Sequence, residues 1–70
     1  MKYRATIYNI TEEKVAVDAH CINDAGEHCA TIADSFHRET CTEELTTIAQ
    51  TMLANIGCPD PDLAEIEDMR

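Results

Sequence analysis

The sequence predicts a small α+β domain: a three-stranded antiparallel sheet packed by one α-helix, with a short acidic helix at the C-terminus. Three observations lead to this prediction. Residues 1–37 alternate between apolar and polar side chains, residues 40–57 repeat apolar side chains at helical spacing, and the chain has 70 residues. A chain of this length forms one domain with a thin core. We therefore interpret 1–37 as a β-meander, 40–57 as the helix and 60–69 as the short acidic helix.

The first strand is predicted over residues 2–10, which alternate and are rich in β-branched and aromatic types. We expect this strand to turn one of two faces to the core. The expected face is Tyr3, Ala5 and Ile7, and the alternative is Tyr8 and Ile10.

A β-hairpin is predicted for residues 15–37, because residues 23–27 contain the clearest turn signal of the chain and Gly26 can adopt a positive φ. A turn at this place fixes a register that collects the apolar side chains on one face. Asp34 is the misfit on that face, so we expect a β-bulge there or an edge position for the strand. The register pairs Cys21 with Ala30, Ala19 with Ile32 and Val15 with Phe36.

The helix is predicted to begin with a capping box formed by Thr40 and Glu43. It should end at Gly57, since Pro59 prevents continuation. Its apolar side chains fall at spacings of three, four and seven, which is typical of a stripe that packs on a sheet. The stripe consists of Leu45, Ile48, Ala49, Met52 and Ile56.

The short C-terminal helix is predicted because Asp60 can cap it and Pro61 suits the first helical position. Leu63 and Ile66 are expected to dock this helix on the rest of the domain.

The charge of the chain is unusual for its size. Five Lys and Arg stand against fourteen Asp and Glu, which gives a net charge of −9 at pH 7. Such a chain lacks the cations that nucleic-acid binding needs and is repelled by anionic membranes. No apolar run is long enough for a signal peptide or a membrane span, so we expect a cytoplasmic protein.

The cysteines and histidines predict neither a metal site nor a catalytic site. The hairpin register places Cys21 on the core face and Cys29 with His20 on the outer face, so these ligands should not converge. His37 and Cys41 could form a nucleophilic pair, but a domain this small offers little room for a pocket. We expect four reduced thiols, no cofactor and no catalytic residue.

The acidic side chains are the predicted partner-binding residues. A net charge of −9 exceeds the magnitude of about 2–8 that solubility asks of a small domain, and a field of this strength attracts a cationic partner. We predict a partner-binding surface made of Glu12, Glu13, Asp24, Glu27, Glu43, Glu44, Asp60, Asp62, Glu65, Glu67 and Asp68.

Size, acidity and the order strand-strand-strand-helix over residues 2–57 resemble the small phage-borne anti-CRISPR proteins. This resemblance implies a non-enzymatic inhibitor that mimics nucleic acid and binds a Cas protein or another cationic nucleic-acid-binding complex in the cytoplasm of a bacterial host. Met1-Lys2-Tyr3 and Thr42-Glu43-Glu44-Leu45 are similar to HicB-type antitoxins, although the Pro-Asp-Leu-Pro-Gly stretch of that family is absent. That second resemblance implies the alternative, an antitoxin-like or regulatory protein that forms a homodimer.

Overall fold

The computed structural model describes all 70 residues as a four-stranded sheet with one helix on one face. The strands have the order β3-β2-β1-β4. The α+β class is confirmed, but the sheet is mixed rather than purely antiparallel because a fourth strand pairs parallel to β1. The elements are β1 Lys2–Asn9, β2 Lys14–Ile22, β3 His28–His37, α1 Thr42–Asn55, a 3₁₀ turn Pro61–Leu63 and β4 Glu65–Asp68.

The β2–β3 hairpin has the register that the turn signal predicts. Asn23 accepts hydrogen bonds at its Oδ1 from the backbone N–H groups of Ala25 (2.9 Å) and Glu27 (3.0 Å), and Gly26 has a φ of 81°. This side-chain-stabilised turn fixes how the two strands meet. The predicted pairs Cys21–Ala30, Ala19–Ile32 and Val15–Phe36 all form.

The hairpin contains one β-bulge, but it does not lie at Asp34. The register shifts between Cys21 and Ile22, so that Cys29 is the extra residue on β3. Asp34 pairs regularly with Val17 and is tolerated on the helix side because β3 is an edge strand and its side chain is exposed. The edge position is therefore correct, and the bulge at Asp34 is wrong.

The helix begins one residue later than the capping box predicts. Cys41 is the N-cap and no side chain caps the helix. The backbone N–H of Thr40 instead donates to the carbonyl of His37 (3.0 Å), which closes a turn after β3 and leaves the following residue to start the helix.

The helix ends at Gly57 as predicted, with a φ of 100° at that glycine. Gly57 N–H donates to Ala54 O (3.1 Å) and Cys58 N–H donates to Leu53 O (3.0 Å), which is the Schellman arrangement. Cys58 and Leu53 are both buried in the core, so the chain leaves the helix towards the sheet.

The core lies between the helix and strands β1 and β2. Tyr3, Ala5 and Ile7 face it, which confirms the expected face of β1. The predicted helix stripe is largely correct, although Ile48 and Ile56 are only partly buried and Leu53, which was not predicted, is 0% exposed. The buried core residues are Ala5, Ile7, Val15, Val17, Ala19, Leu45, Ala49, Met52, Leu53 and Cys58.

The predicted C-terminal helix over 60–69 is wrong. Pro61–Leu63 forms a single 3₁₀ turn, and Glu65–Asp68 forms β4 along the free edge of β1. A strand places Glu65 and Glu67 on the same face of the sheet, where Arg4 of β1 binds both. The pairing continues beyond β4, since Met69 N–H donates to Ile7 O at 2.7 Å.

No helix of the protein combines the length and the apolar character needed to cross a bilayer.

Candidate partner-binding surface

The carboxylates are distributed over the whole length of the molecule. We define three zones by the strand register. The upper end, at the β1–β2 turn and the helix start, contains Glu12, Glu13, Glu39, Glu43 and Glu44, with Lys14 and Arg38. The lower end, at the β2–β3 turn and the 3₁₀ turn, contains Asp24, Glu27, Asp60 and Asp62, with Lys2. The middle contains Asp18, Asp34, Glu65 and Glu67, with Arg4.

Each zone has the same net charge. The upper end has five carboxylates and two cations, the lower end four and one, and the middle four and one, so that each zone carries −3 and the total is −9. The remaining two charges, Asp68 and Arg70, bind each other. The predicted surface does not include Asp18, Asp34 and Glu39, although these carboxylates contribute to the net charge.

The resulting charge density approaches that of a nucleic acid strand. The molecule is 36 Å long and 21 by 16 Å across, so a net charge of −9 corresponds to one negative charge per about 4 Å. A single DNA strand carries one charge per about 3.4 Å and the duplex one per about 1.7 Å. The protein therefore presents nearly the charge density of one strand and under half that of a duplex.

Arg4 holds two of the predicted binding residues on the outer face of the sheet. Its guanidinium makes a two-pronged contact with Glu65, at 3.0 and 3.3 Å, and lies 3.8 Å from Glu67. The hydrogen bonds from Arg4 lower the pKa of Glu65, and the same contacts raise the pKa of Arg4. These two carboxylates are thus engaged within the protein and serve to hold β4.

The C-terminus and the N-terminus engage two further predicted residues. Arg70 binds Asp68 at 2.6 Å and donates to Thr42 Oγ1 at 3.0 Å, which ties the end of the chain to the helix start. Hydrogen bonds from Arg70 lower the pKa of Asp68 from 3.8 to about 2. The N-terminal ammonium lies 3.0 Å from Asp24.

Seven of the eleven predicted residues have no ion-pair partner in the protein. The sequence cluster from Asp60 to Asp68 is divided, because the turn and β4 place its members at different ends and faces. The carboxylates that remain free for an external cation are Glu12, Glu13, Glu27, Glu43, Glu44, Asp60 and Asp62.

The histidines and cysteines are arranged differently from the prediction. The bulge turns Cys29 to the side of Cys21, with the two sulfurs 3.0 Å apart, so these residues do not lie on opposite faces. His28 is instead the neighbour of His20, with ring centroids 5.2 Å apart, and Asp18 lies 3.3 Å from His20. No three His, Cys, Asp or Glu side chains converge in a way that could hold a metal ion.

His37, at the end of β3, makes its hydrogen bond with the turn that leads to Cys41. His37 accepts a hydrogen bond at Nδ1 from the backbone N–H of Glu39 at 3.2 Å, and no hydrogen bond joins it to Cys41. The surface has two open depressions of about 410 and 250 Å³. Arg38 and Glu12 both line the larger depression, where Arg38 donates to Glu12 O at 3.2 Å.

No protein-family model matches the chain, and no curated protein or solved structure is similar enough to indicate a relationship.

Proposed function

We propose that the protein is a small acidic, non-enzymatic binding protein that inhibits a cationic nucleic-acid-binding complex by occupying the surface meant for nucleic acid. Cas proteins belong to this partner class, as the resemblance to anti-CRISPR proteins implies. The site of action is the cytoplasm of a bacterial cell. The protein acts without a cofactor and without binding nucleic acid itself, because a net charge of −9 repels phosphates.

The even distribution of charge along the molecule carries this proposal. Three zones of −3 each over 36 Å give about one charge per 4 Å, and a groove built for a nucleic acid strand contacts charges at about 3.4 Å intervals. A surface that serves only solubility does not need such a regular distribution, and a smaller net charge is enough for it. The seven carboxylates without an internal partner supply the direct contacts.

Capture and competition test the proposal. The immobilised chain is exposed at low ionic strength to nuclease-treated bacterial lysate, and the retained proteins are challenged first with duplex DNA and then with salt. We expect nucleic-acid-binding proteins to be retained and to be released by both, because DNA competes for the same groove and salt screens the charges. Retained proteins that neither DNA nor salt releases would contradict mimicry.

Two variants of helix α1, one that changes the net charge and one that does not, test whether charge causes the retention. Glu43→Gln with Glu44→Gln brings the net charge from −9 to −7 and should reduce retention. Thr51→Ser, also on an exposed position of α1, leaves the charge unchanged and should retain as much partner as the parent.

Strand β3 favours a second candidate, the homodimer. β3 is a ten-residue edge strand, and the helix packs on β1 and β2. Ile32 and Phe36 are consequently only partly buried. Antiparallel pairing of two β3 edges would cover them and satisfy the free backbone groups. Asp34 opposes this pairing, since an inward-pointing charge on an edge strand discourages association.

The homodimer predicts a melting temperature that rises with protein concentration. It also predicts that Asp34→Thr strengthens association. A monomeric mass at all concentrations, for the parent and for Asp34→Thr, would contradict it.

A further inference from the structure

Two thiols lie side by side where β2 meets β3. The Sγ atoms of Cys21 and Cys29 are 3.0 Å apart, and both residues are free cysteines. Cys21 is buried, with 2% of its surface exposed, whereas Cys29 is exposed. A reagent can therefore reach the Cys29 thiol, whereas the Cys21 thiol is buried next to it.

The β-bulge creates this arrangement. Cys21 pairs with Ala30 and Ile22 pairs with His28, which leaves Cys29 as the additional residue on β3. In a regular hairpin Cys29 would oppose Ile22 and point to the other face of the sheet. A bulge redirects the side chain and brings the Cys29 thiol over Cys21.

The surroundings limit which atoms can react with Cys21. Met1 Sδ lies 3.6 Å from Cys21 Sγ, and the Tyr3 hydroxyl donates to the same Met1 sulfur at 3.5 Å. Burial, followed by the neighbouring Cys21, raises the pKa of Tyr3, so the phenol stays protonated beside the sulfurs. Cys29 is the only thiol that contacts Cys21.

We propose that Cys21 and Cys29 form a reversible intramolecular disulfide by exchange with a small-molecule disulfide of the glutathione class. The Cys29 thiolate attacks one sulfur of the reagent and releases one equivalent of the small thiol, leaving a mixed disulfide on Cys29. The Cys21 thiolate then attacks Cys29 Sγ and releases the second small thiol. The two protons of the cysteines end on the two released thiols, the cysteines are oxidised and the reagent is reduced.

The geometry needs little adjustment for this bond. A disulfide joins sulfurs at about 2.05 Å, so each Sγ moves by about half an ångström. In a β-bulge two residues of one strand face one residue of the other, so Cys29 and Ala30 together face Cys21 and the two cysteines lie next to each other. Cys41 cannot compete for Cys21, because α1, which has 14 residues, separates the Cys41 end of the domain from the lower end by about 21 Å.

The hydrogen bond with Cys21, followed by burial, raises the pKa of Cys29. The reactive thiolate is therefore scarce at neutral pH, and the exchange should accelerate as the pH rises.

Oxidised glutathione tests the proposal on the full chain. The reduced protein is equilibrated with glutathione at ratios from reducing to oxidising, quenched in acid and digested for mass spectrometry. We expect a peptide pair linked through Cys21 and Cys29, no retained glutathione on Cys29, and full reversal by excess reduced glutathione. A protein that carries stable glutathione on Cys29 with Cys21 reduced, that links Cys21 to Cys58, or that does not react would overturn the proposal.

Matched variants make the result specific. Cys41→Ser removes the other exposed thiol and should leave the Cys21–Cys29 link and its glutathione ratio unchanged. Cys29→Ser lies at an exposed position, so it should fold, and its Cys21 should resist oxidation at least tenfold longer. The oxidised parent should melt at a higher temperature than the reduced parent, while Cys29→Ser shows no such shift. Equal Cys21 oxidation in Cys29→Ser would contradict the pairing.

Discussion

The two edges of the sheet are held by different forces. β3 follows β2 through a short turn, pairs antiparallel with it from end to end apart from the bulge at Cys29, and places Ile32 and Phe36 against the core. β4 has four residues and comes from the far end of the chain. Arg4 binds its Glu65, Ile66 packs on the core, and Arg70, which also binds Asp68, donates to Thr42 of the helix. The first edge depends on a local turn and on apolar packing, whereas the second depends on contacts such as Arg4–Glu65 between residues that are 61 positions apart in the sequence.

The largest loss of stability is expected on truncation of Leu53, a helix residue in the core between the helix and the sheet. Leu53 is 0% exposed, so Leu53→Ala should lower the free energy of unfolding by about 2–5 kcal/mol. In a domain whose total stability is about 5 kcal/mol, much of the population would unfold and both edges would be lost together. Ile48→Ala on the partly buried side of the helix is the control, and its denaturant midpoint should move less.

A matched pair of isoleucines compares the edges directly. Ile32 on β3 and Ile66 on β4 are both partly buried against the core, so each change to Ala should cost less than about 2 kcal/mol. Ile32→Ala should lower the global melting temperature, because β3 unfolds with the hairpin. Ile66→Ala should chiefly release β4, seen as faster amide exchange at Met69 with a smaller melting shift. Equal melting shifts with a protected Met69 would contradict the distinction.

Arg4→Gln tests whether charge holds β4. The change removes the contacts to Glu65 and Glu67 and leaves the apolar core intact. We expect faster hydrogen exchange of the Met69 amide, which donates to Ile7 O, and a melting temperature close to that of the parent. Lys14→Gln removes a cation that makes no ion pair with a carboxylate and should leave Met69 exchange unchanged.

Acid should release β4 before the rest of the sheet. The pKa of Asp68 is lowered from 3.8 to about 2 by Arg70, so its contribution is present above the unfolded pKa near 3.8 and is lost as pH falls through about 2. Glu65, whose pKa is also lowered, acts in the same direction. Met69 and β4 resonances should shift between pH 4 and 2 while those of the buried β2 residues Val15 and Val17 do not, and Asp68→Asn should remove the Asp68 part of this change.

The features that depend on local sequence could be predicted, and those that depend on contacts between distant residues could not. The hairpin register was predictable because Asn23, Gly26 and the alternation of Val15–Cys21 are local signals. Leu53 also lay within reach, since it follows Ala49 by four residues on the same helix face. The alternation of Ala64–Glu67 has the strand period, but Asp60 and Pro61 made a helix start the stronger local signal.

Other features had no local signal. Arg4 meets Glu65 across 61 positions of sequence, and nothing near either residue indicates the contact. The bulge that joins Cys21 to Cys29 depends on how the turn closes, and a regular register therefore placed these thiols on opposite faces. For the acidic surface, the composition predicted the charge, while only the fold separates carboxylates with internal partners from those without.

We propose that the carboxylates without an internal partner bind a cationic protein. The direct test is the kinetics of binding to a captured partner as a function of ionic strength, using two variants with equal net charge. Glu43→Gln with Glu44→Gln and Glu65→Gln with Glu67→Gln each bring the net charge from −9 to −7. Both should slow association at low salt to a similar extent, because steering depends on the overall field.

The dissociation rate distinguishes the two variants. We predict that it rises for Glu43→Gln with Glu44→Gln, which removes free carboxylates, and stays near the parent value for Glu65→Gln with Glu67→Gln, whose carboxylates are already bound to Arg4. Parent-like association rates, salt dependence and dissociation rates in both variants would contradict the claim that the acidic surface is the binding surface.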